Sequence, residues 1–396
     1  MTSRSASGLR VYKGNKKNGT VRAGTDFYDY NLLAAIILLT CFGLVMLYSV
    51  SAYEASVDYQ NDMFYFRKQA LIGAGSFVLM LLGSRVDYHR YTRHAGFFYV
   101  ISLILLFLTK IIGRTINGAR RWIYIGPISF QPAELAKLAV ILFLPVIIVK
   151  TGRKFRGFEA PAKISAIGLL TAAMTYLFTD NLSTAIIIVG ITLALIIVAH
   201  PNPRKLVLTL IGLIVFLVVL TLILRATLSA DATSGSFRIR RIITWLHPEE
   251  NQSAGGYQVM QALYAIGSGG LFGKGLGKST QKLGAIPEAQ NDMIFSIICE
   301  ELGIIGAMIV ILLFVFLLWR LFVIASNAPD MLGGLIATGI FAHIALQVIL
   351  NIAVVLNVIP TTGITLPFVS YGGTSILFLM MEMMVALSIS GQIRAK

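Results

Sequence analysis

Hydrophobic positions along this chain come in long runs rather than in alternation. Ten stretches, about 31–51, 69–84, 95–112, 134–150, 164–179, 182–199, 206–226, 292–319, 332–356 and 372–391, approach the length needed to cross a hydrocarbon core. In lipid every backbone polar group must be satisfied within the structure, so the pattern predicts an all-α polytopic membrane protein of about ten transmembrane helices. The longest interruption, residues 227–291, predicts a large extracellular loop between the seventh and eighth helices.

Composition agrees, since 56% of the 396 residues are hydrophobic and only 13% are charged, which excludes a soluble domain of ordinary make-up. A net charge of +15 would suggest nucleic acid in a soluble chain. Here Arg85, Arg90, Arg93, Lys150, Arg153, Lys154, Arg156 and Lys163 sit in short loops, so the charge sets topology and places both termini in the cytoplasm. Residues 1–30, basic and rich in Ser and Gly, predict a disordered cytoplasmic tail rather than a cleaved signal peptide, and 31–396 a single transmembrane domain. Cys41 and Cys299 lie in apolar runs and read as small hydrophobes.

Charge at membrane depth is the next signal, because it is costly and marks functional sites. The stretch "AIPEAQNDMIFSIICEELG" carries Glu288, Asp292, Glu300 and Glu301 into or beside the eighth apolar run. Asp292 reads either as a cap favoured by the helix dipole or as a site residue. Glu300 and Glu301 read as buried, hydrogen-bonded structural groups that face different ways. The segment "GRTINGARRWIYIGPISFQPAELAK" has turn signals at Asn-Gly and Gly-Pro, then Glu134 and Lys137 on one helix face. That pair is either self-neutralised or has Lys137 turned to a water-filled cavity and an anionic partner. Arg238, Arg241 and Trp245 predict an interfacial helix. The glycine-rich run that follows, with Lys274, Lys278 and Lys282, offers backbone able to cradle phosphate, although no Walker pattern is present. The last polar insertion, "NVIPTTGITLPFVSYGGTS", breaks a span with Pro and Gly, which is tolerated only beside a cavity or buried protein.

Four of these segments, "NGARRWIYIGPISFQPAELAK", "GGYQVMQALYAIGSGGLFGKGLG", "IPEAQNDMIF…EELG" and "PTTGITLPFVSYGGTS", resemble in order the SEDS family of bacterial cell-wall polymerases (shape, elongation, division, sporulation). "DNLSTA" and "TTGITLPF" look more like its division (FtsW) and sporulation branches than its elongation (RodA) branch. The resemblance implies a peptidoglycan glycosyltransferase that polymerises lipid II, a disaccharide-pentapeptide on undecaprenyl pyrophosphate, at the outer face of the bacterial cytoplasmic membrane. It further implies a class B penicillin-binding transpeptidase as partner, other divisome membrane proteins, a place at the septum and no nucleic acid.

The same resemblance puts the essential aspartate on Asp292 and its motif glutamate on Glu288, with Arg120, Arg121, Trp122, Gln131, Glu134 and Lys137 in the other conserved-type motifs. Asp292 is expected to act as general base in a single inverting displacement, with Lys137 as a neighbour that tunes it. Arg120, Arg121 and Lys274 are expected to hold the pyrophosphate. Trp122 would stack on a sugar or anchor at the interface. A divalent cation, Mg2+ or Mn2+, would neutralise leaving-group charge, and no organic cofactor is implied. The reading from another class is a lipid II flippase, a transporter without bond chemistry.

Overall fold

A computed structural model of the chain describes residues 26–116, 119–126, 128–157, 159–204, 207–208, 211–212, 243–250 and 256–394. Most of the expected tail, of the seventh span and of the interfacial helix lies outside the described residues, while residues 26–30, counted with the tail, hold a short strand and the start of the first helix. The other nine spans coincide with α1 (Tyr30–Tyr59), α2 (Phe64–Gly83), α4 (Ala95–Ile112), α5 (Pro132–Thr151), α6 (Glu159–Thr179), α7 (Leu182–Ala199), α9 (Ile294–Asn327), α10 (Met331–Val355) and α11 (Ser375–Ser390). Two helices do not span: α3 (Tyr88–Arg93) links α2 to α4, and α8 (Gly256–Gly269) precedes α9. Seven of the helices are long and apolar enough by themselves to cross a membrane. Among those seven, the one running Pro132–Phe155 has 72% of its apolar window inside the protein, the largest share, so α5 is the axis of the bundle.

Polar groups at the helix ends are satisfied from far along the chain. Asp29 accepts from Leu32 N at 2.9 Å and caps α1, while its carboxylate takes Arg320 of α9 at 2.7 Å. Asp29 N donates to Ser390 Oγ at 3.2 Å, and strand β1 (Asp26–Phe27) pairs antiparallel with β5 (Ile393–Arg394). Both ends of the described chain are therefore tied at one end of the bundle.

The opposite end carries a three-stranded antiparallel sheet, β2 (Arg114–Ile116), β3 (Ala119–Ile125) and β4 (Ile128–Phe130), inside the segment where the sequence shows turns. Its register steps from Arg114↔Trp122 to Thr115↔Arg120, which leaves Arg121 as the extra residue of a bulge. A bulge re-aims the side chain it carries. Arg121 is thus turned out of the ladder.

The long helix α9 is broken. Gly303, at φ 68° and ψ −170°, lies in a region open to glycine, and the freed carbonyls of Glu300 and Glu301 accept at 2.9 Å from Lys274 N and Gly275 N. In return Ile304 N and Ile305 N donate to Gly270 O and Leu271 O at 3.0 and 3.2 Å. The glycine-rich run is therefore a patch across an opened helix. A side chain on Gly269 or Gly273 would meet the backbone of Cys299 or Glu301 at under 3.0 Å, so these two glycines serve close backbone approach.

Candidate active site

The segment between α10 and α11 crosses the bundle without regular structure, and side chains of neighbouring helices take up its backbone groups. Asn351 Nδ2 donates to Ile364 O at 2.7 Å, Gln347 Nε2 to Thr365 O at 3.0 Å, and Ser183 Oγ to Thr362 O at 3.0 Å. This irregular wall, the β-sheet and the N-terminal ends of α5 and α7 enclose a cavity of about 780 Å³. Arg121, Trp122, Gln131, Glu134, Lys137, Glu288 and Asp292 all line it.

Asp292 stands two residues before α9, whose N-terminal cap position is Met293 with no side-chain cap. Asp292 thus stands at the start of α9, where the helix dipole favours a carboxylate, and also lines the cavity. Its carbonyl accepts Asn351 Nδ2 at 2.8 Å, so α10 holds both Asp292 and the facing wall through one side chain. From the spot where a side chain on Gly363 would begin, Arg121 Nη1 is 3.1 Å away and Asp292 Oδ2 3.9 Å. A cation and a carboxylate thus flank one point of the wall. Glu288 accepts from Asn291 Nδ2 at 3.1 Å.

Lys137 has 2% of its surface exposed, which would be prohibitive for a lone ammonium. Its Nζ meets Glu134 Oε1 at 2.9 Å and donates to Gln347 Oε1 at 3.1 Å. The sequence pairs Lys137 directly with Asp292, whereas the contacts made are to Glu134 and Gln347. Both sequence readings of this lysine hold in part, because the self-neutralised pair itself faces the cavity. Ser375 Oγ donates to Glu134 Oε2 at 3.2 Å.

Two expected phosphate contacts lie elsewhere. Lys274 pairs with Glu300 at 2.6 Å in the patch across α9 and is absent from the cavity lining. Arg120, exposed on β3, donates to Lys110 O at 2.9 Å and Thr115 Oγ1 at 3.2 Å, and it too does not line the cavity. Glu300 and Glu301 are buried and structural as expected, yet one loop meets both. Glu301 accepts from Lys282 Nζ and Ser49 Oγ, each at 2.7 Å, and Ser279 contacts both glutamates.

The structure adds residues that the sequence reading passed over. Lys68, Tyr65 and Tyr371 line the cavity. Behind Lys137, Gln347 Oε1 also meets His343 Nε2 at 2.7 Å, and His343 Nδ1 meets Glu382 Oε2 at 2.7 Å, all buried. Gln347 Nε2 is committed to Thr365 O, so its oxygen is the group that accepts from Lys137 Nζ and meets His343 Nε2. Residues 343, 347 and 351 fall at i, i+4, i+8 in an apolar run, a polar stripe that helical periodicity exposes.

Comparison with known proteins points the same way. The chain is 39% identical over 366 residues to stage V sporulation protein E of Bacillus subtilis (strain 168), covering 91% of this chain and 96% of that protein. It is 33% identical over 369 residues to a probable peptidoglycan glycosyltransferase FtsW of Trichlorobacter lovleyi, covering 93% and 94%. Among solved structures, a chain of a peptidoglycan synthase complex that coordinates polymerization and crosslinking superposes with a TM-score of 0.73 at 27% identity, covering 93% of this chain and 99% of that one. The rod shape determining protein RodA of Thermus thermophilus gives 0.65 at 26% identity, covering 93% and 98%. The family model described as cell cycle protein (FtsW/RodA/SpoVE) matches residues 30–395, and the chain belongs to that family.

Proposed function

We propose that the chain is a peptidoglycan glycosyltransferase that joins lipid II units into β-1,4 glycan strands, in division or sporulation, with the cavity on the outer side of the cytoplasmic membrane and both termini inside. The observation that carries this reading is the convergence of Asp292 and Arg121 on one point of the cavity wall, in a member of this family.

Strand growth requires a sugar hydroxyl to attack an anomeric carbon as a lipid pyrophosphate departs. Asp292 takes the hydroxyl proton, so the new bond forms without a charged alcohol, and a single displacement inverts the donor's configuration. Arg121, re-aimed by its bulge, presents a planar guanidinium suited to two phosphate oxygens. Lys68, on the same lining, adds a second cation for the leaving group. Lys137, held by Glu134 and Gln347, sets its ammonium on the lining of the same cavity as the base. Trp122, Tyr65 and Tyr371 offer aromatic faces to sugar rings. For the divalent cation suggested by the chemistry, the described residues hold no group of three or more His, Cys, Asp or Glu, so no step is routed through it. A transpeptidase of the class B penicillin-binding type is the proposed partner, supported by the likeness to a synthase-complex chain.

The test is purified protein, with and without that partner, incubated with labelled lipid II. Glycan strands are expected from the parent, and Asp292→Asn should lower their rate by the roughly 10²–10⁴-fold that acid–base catalysis supplies. Polymerisation by Asp292→Asn at the parental rate would refute the role of the base. Movement of lipid II between leaflets with no glycan made by the parent would favour a flippase instead.

A further inference from the structure

At the end of the bundle away from the candidate active site, α5 finishes at Thr151 and the chain turns through Gly152, at φ 56°, into a 3-10 turn at Gly152–Arg156 before α6 begins. Phe155 is buried and its ring lies 6.5 Å from that of His200, which anchors the turn against the end of α7. The result is a second cavity of about 790 Å³ between the ends of α5 and α6. Lys150, Arg153, Lys154 and Lys163 line it, with Glu159 as its only carboxylate among the described residues.

Elsewhere in the fold four cations are paired with carboxylates, buried Lys137 with Glu134, half-buried Lys282 and Arg320 with Glu301 and Asp29, and exposed Lys274 with Glu300, whereas Lys150, Arg153, Lys154 and Lys163 around the second cavity are all exposed. Among the described residues no ion pair engages any of the four cations around this second cavity. Topological charge bias accounts for their sign, since short loops on one side collect Lys and Arg. It does not account for their convergence on a concave site with an apolar floor of Ile147, Ala160 and Ile164. Four mutually repelling cations, Lys150 from the end of α5, Arg153 and Lys154 from the turn and Lys163 from the start of α6, over an apolar floor, match a phosphate-bearing amphiphile. Its anionic head would meet the basic rim and its glycerol and acyl carbons the floor.

We propose that this cavity is a binding site for the phosphates of an anionic phospholipid in the leaflet opposite the candidate active site. The site needs no bond chemistry and stands independently of the glycosyltransferase reading.

Native mass spectrometry of the full-length protein in detergent tests it, with a diphosphatidyl lipid and a zwitterionic lipid of matched acyl chains as probes. Preferential retention of the diphosphatidyl lipid is expected. The variant Lys150→Gln/Arg153→Gln/Lys154→Gln/Lys163→Gln should lose at least about tenfold in that preference, because each basic group near an anionic headgroup is worth roughly fivefold in affinity. Arg85→Gln/Arg90→Gln/Arg93→Gln, a second basic set that does not line the cavity, should keep it. An equal loss in both variants, or none in the first, would overturn the site. Inorganic pyrophosphate provides the last arm: failure to displace the lipid supports a lipid site, and displacement at micromolar concentration would transfer the site to a soluble phosphate. Both variants must elute as a single species, and the second one controls for loss of charge alone.

Discussion

Lys137 of α5 donates to Gln347 of α10 at 3.1 Å, although 210 residues separate them in the chain. The same Gln347 holds Thr365 of the irregular wall and is itself held by His343, so one amide couples the buried lysine to the backbone that frames the cavity. Gln347→Leu keeps the volume and removes all three bonds, to Lys137, Thr365 and His343. Buried donors left unsatisfied cost about 1–3 kcal/mol each, so a lower Tm and a slower polymerisation are expected, read by thermal denaturation and by glycan formation from lipid II. A variant with parental Tm and rate would show that the coupling is idle.

Glu134 and Lys137 should behave as a pair. Lys137→Met strands a carboxylate with 6% exposure and should destabilise by about 3–5 kcal/mol. Glu134→Gln/Lys137→Met removes both charges and should recover much of that stability without recovering polymerisation. Recovery of activity in the double variant would reduce the lysine to a structural role.

Gly303→Ala would place a side chain at φ 68°, closer than 3.0 Å to Gly273 N and Leu271 O. Strain of this kind costs about 1–3 kcal/mol, and the loop must also be pushed from its helix, so poor accumulation in the membrane is expected. Gly267→Ala, where an added carbon meets nothing within 4 Å, should be neutral or stabilising. Equal levels of the two variants in membranes would contradict the account of the patch.

His89 is bracketed by Asp87 at 2.7 Å and Asp330 at 2.9 Å, and Tyr88 donates to Asp330 at 2.8 Å. Burial lowers the pKa of His89, but hydrogen bonds and charge from the two carboxylates outweigh it and raise it above 6.5. The folded state therefore binds the proton more tightly than the unfolded one. This stabilisation is full below pH 6.5 and fades as pH rises through the elevated folded value. Tm should fall over that interval, and His89→Ala should flatten the slope; an unchanged slope in the variant would exclude His89 as its source.

Orientation is checked by cysteine labelling in intact cells. Ser279 is 3% exposed behind the two glutamates and is a poor probe, whereas Lys278 beside it is exposed. Lys278→Cys should react with an impermeant reagent and Gly157→Cys should not, since α5 carries the chain from the cavity end to the other side. The reverse pattern would invert the membrane topology.

Helix positions are legible because apolar runs of membrane length leave few alternatives; all nine described spans overlap the pattern, although α1 and α9 run eight residues past their apolar runs, to Tyr59 and Asn327. Asp292, Glu134 and Lys137 were legible as charges where charge is expensive. What escaped depends on contacts distant in sequence. Lys274 and Arg121 look alike in a linear reading, and only an opened helix on one side and a β-bulge on the other send the first to Glu300 and the second to the cavity. His343, Gln347 and Glu382 were visible as polar interruptions of apolar runs, but their partners come from three different helices.

The bond from Asp29 to Arg320 and Ser390, together with the pairing of Asp26 with Arg394, carries a consequence for biogenesis. The helix that begins at Tyr30 packs on α2 close by in sequence, but the carboxylate that caps it is met by a guanidinium 291 residues further along. Until then Asp29 has no guanidinium to meet, and α1 can hold only a provisional position in the membrane. Closing that contact joins segments 291 residues apart, and quality control that senses an unclaimed acidic group at the membrane surface would act on every chain that stops short of Arg320.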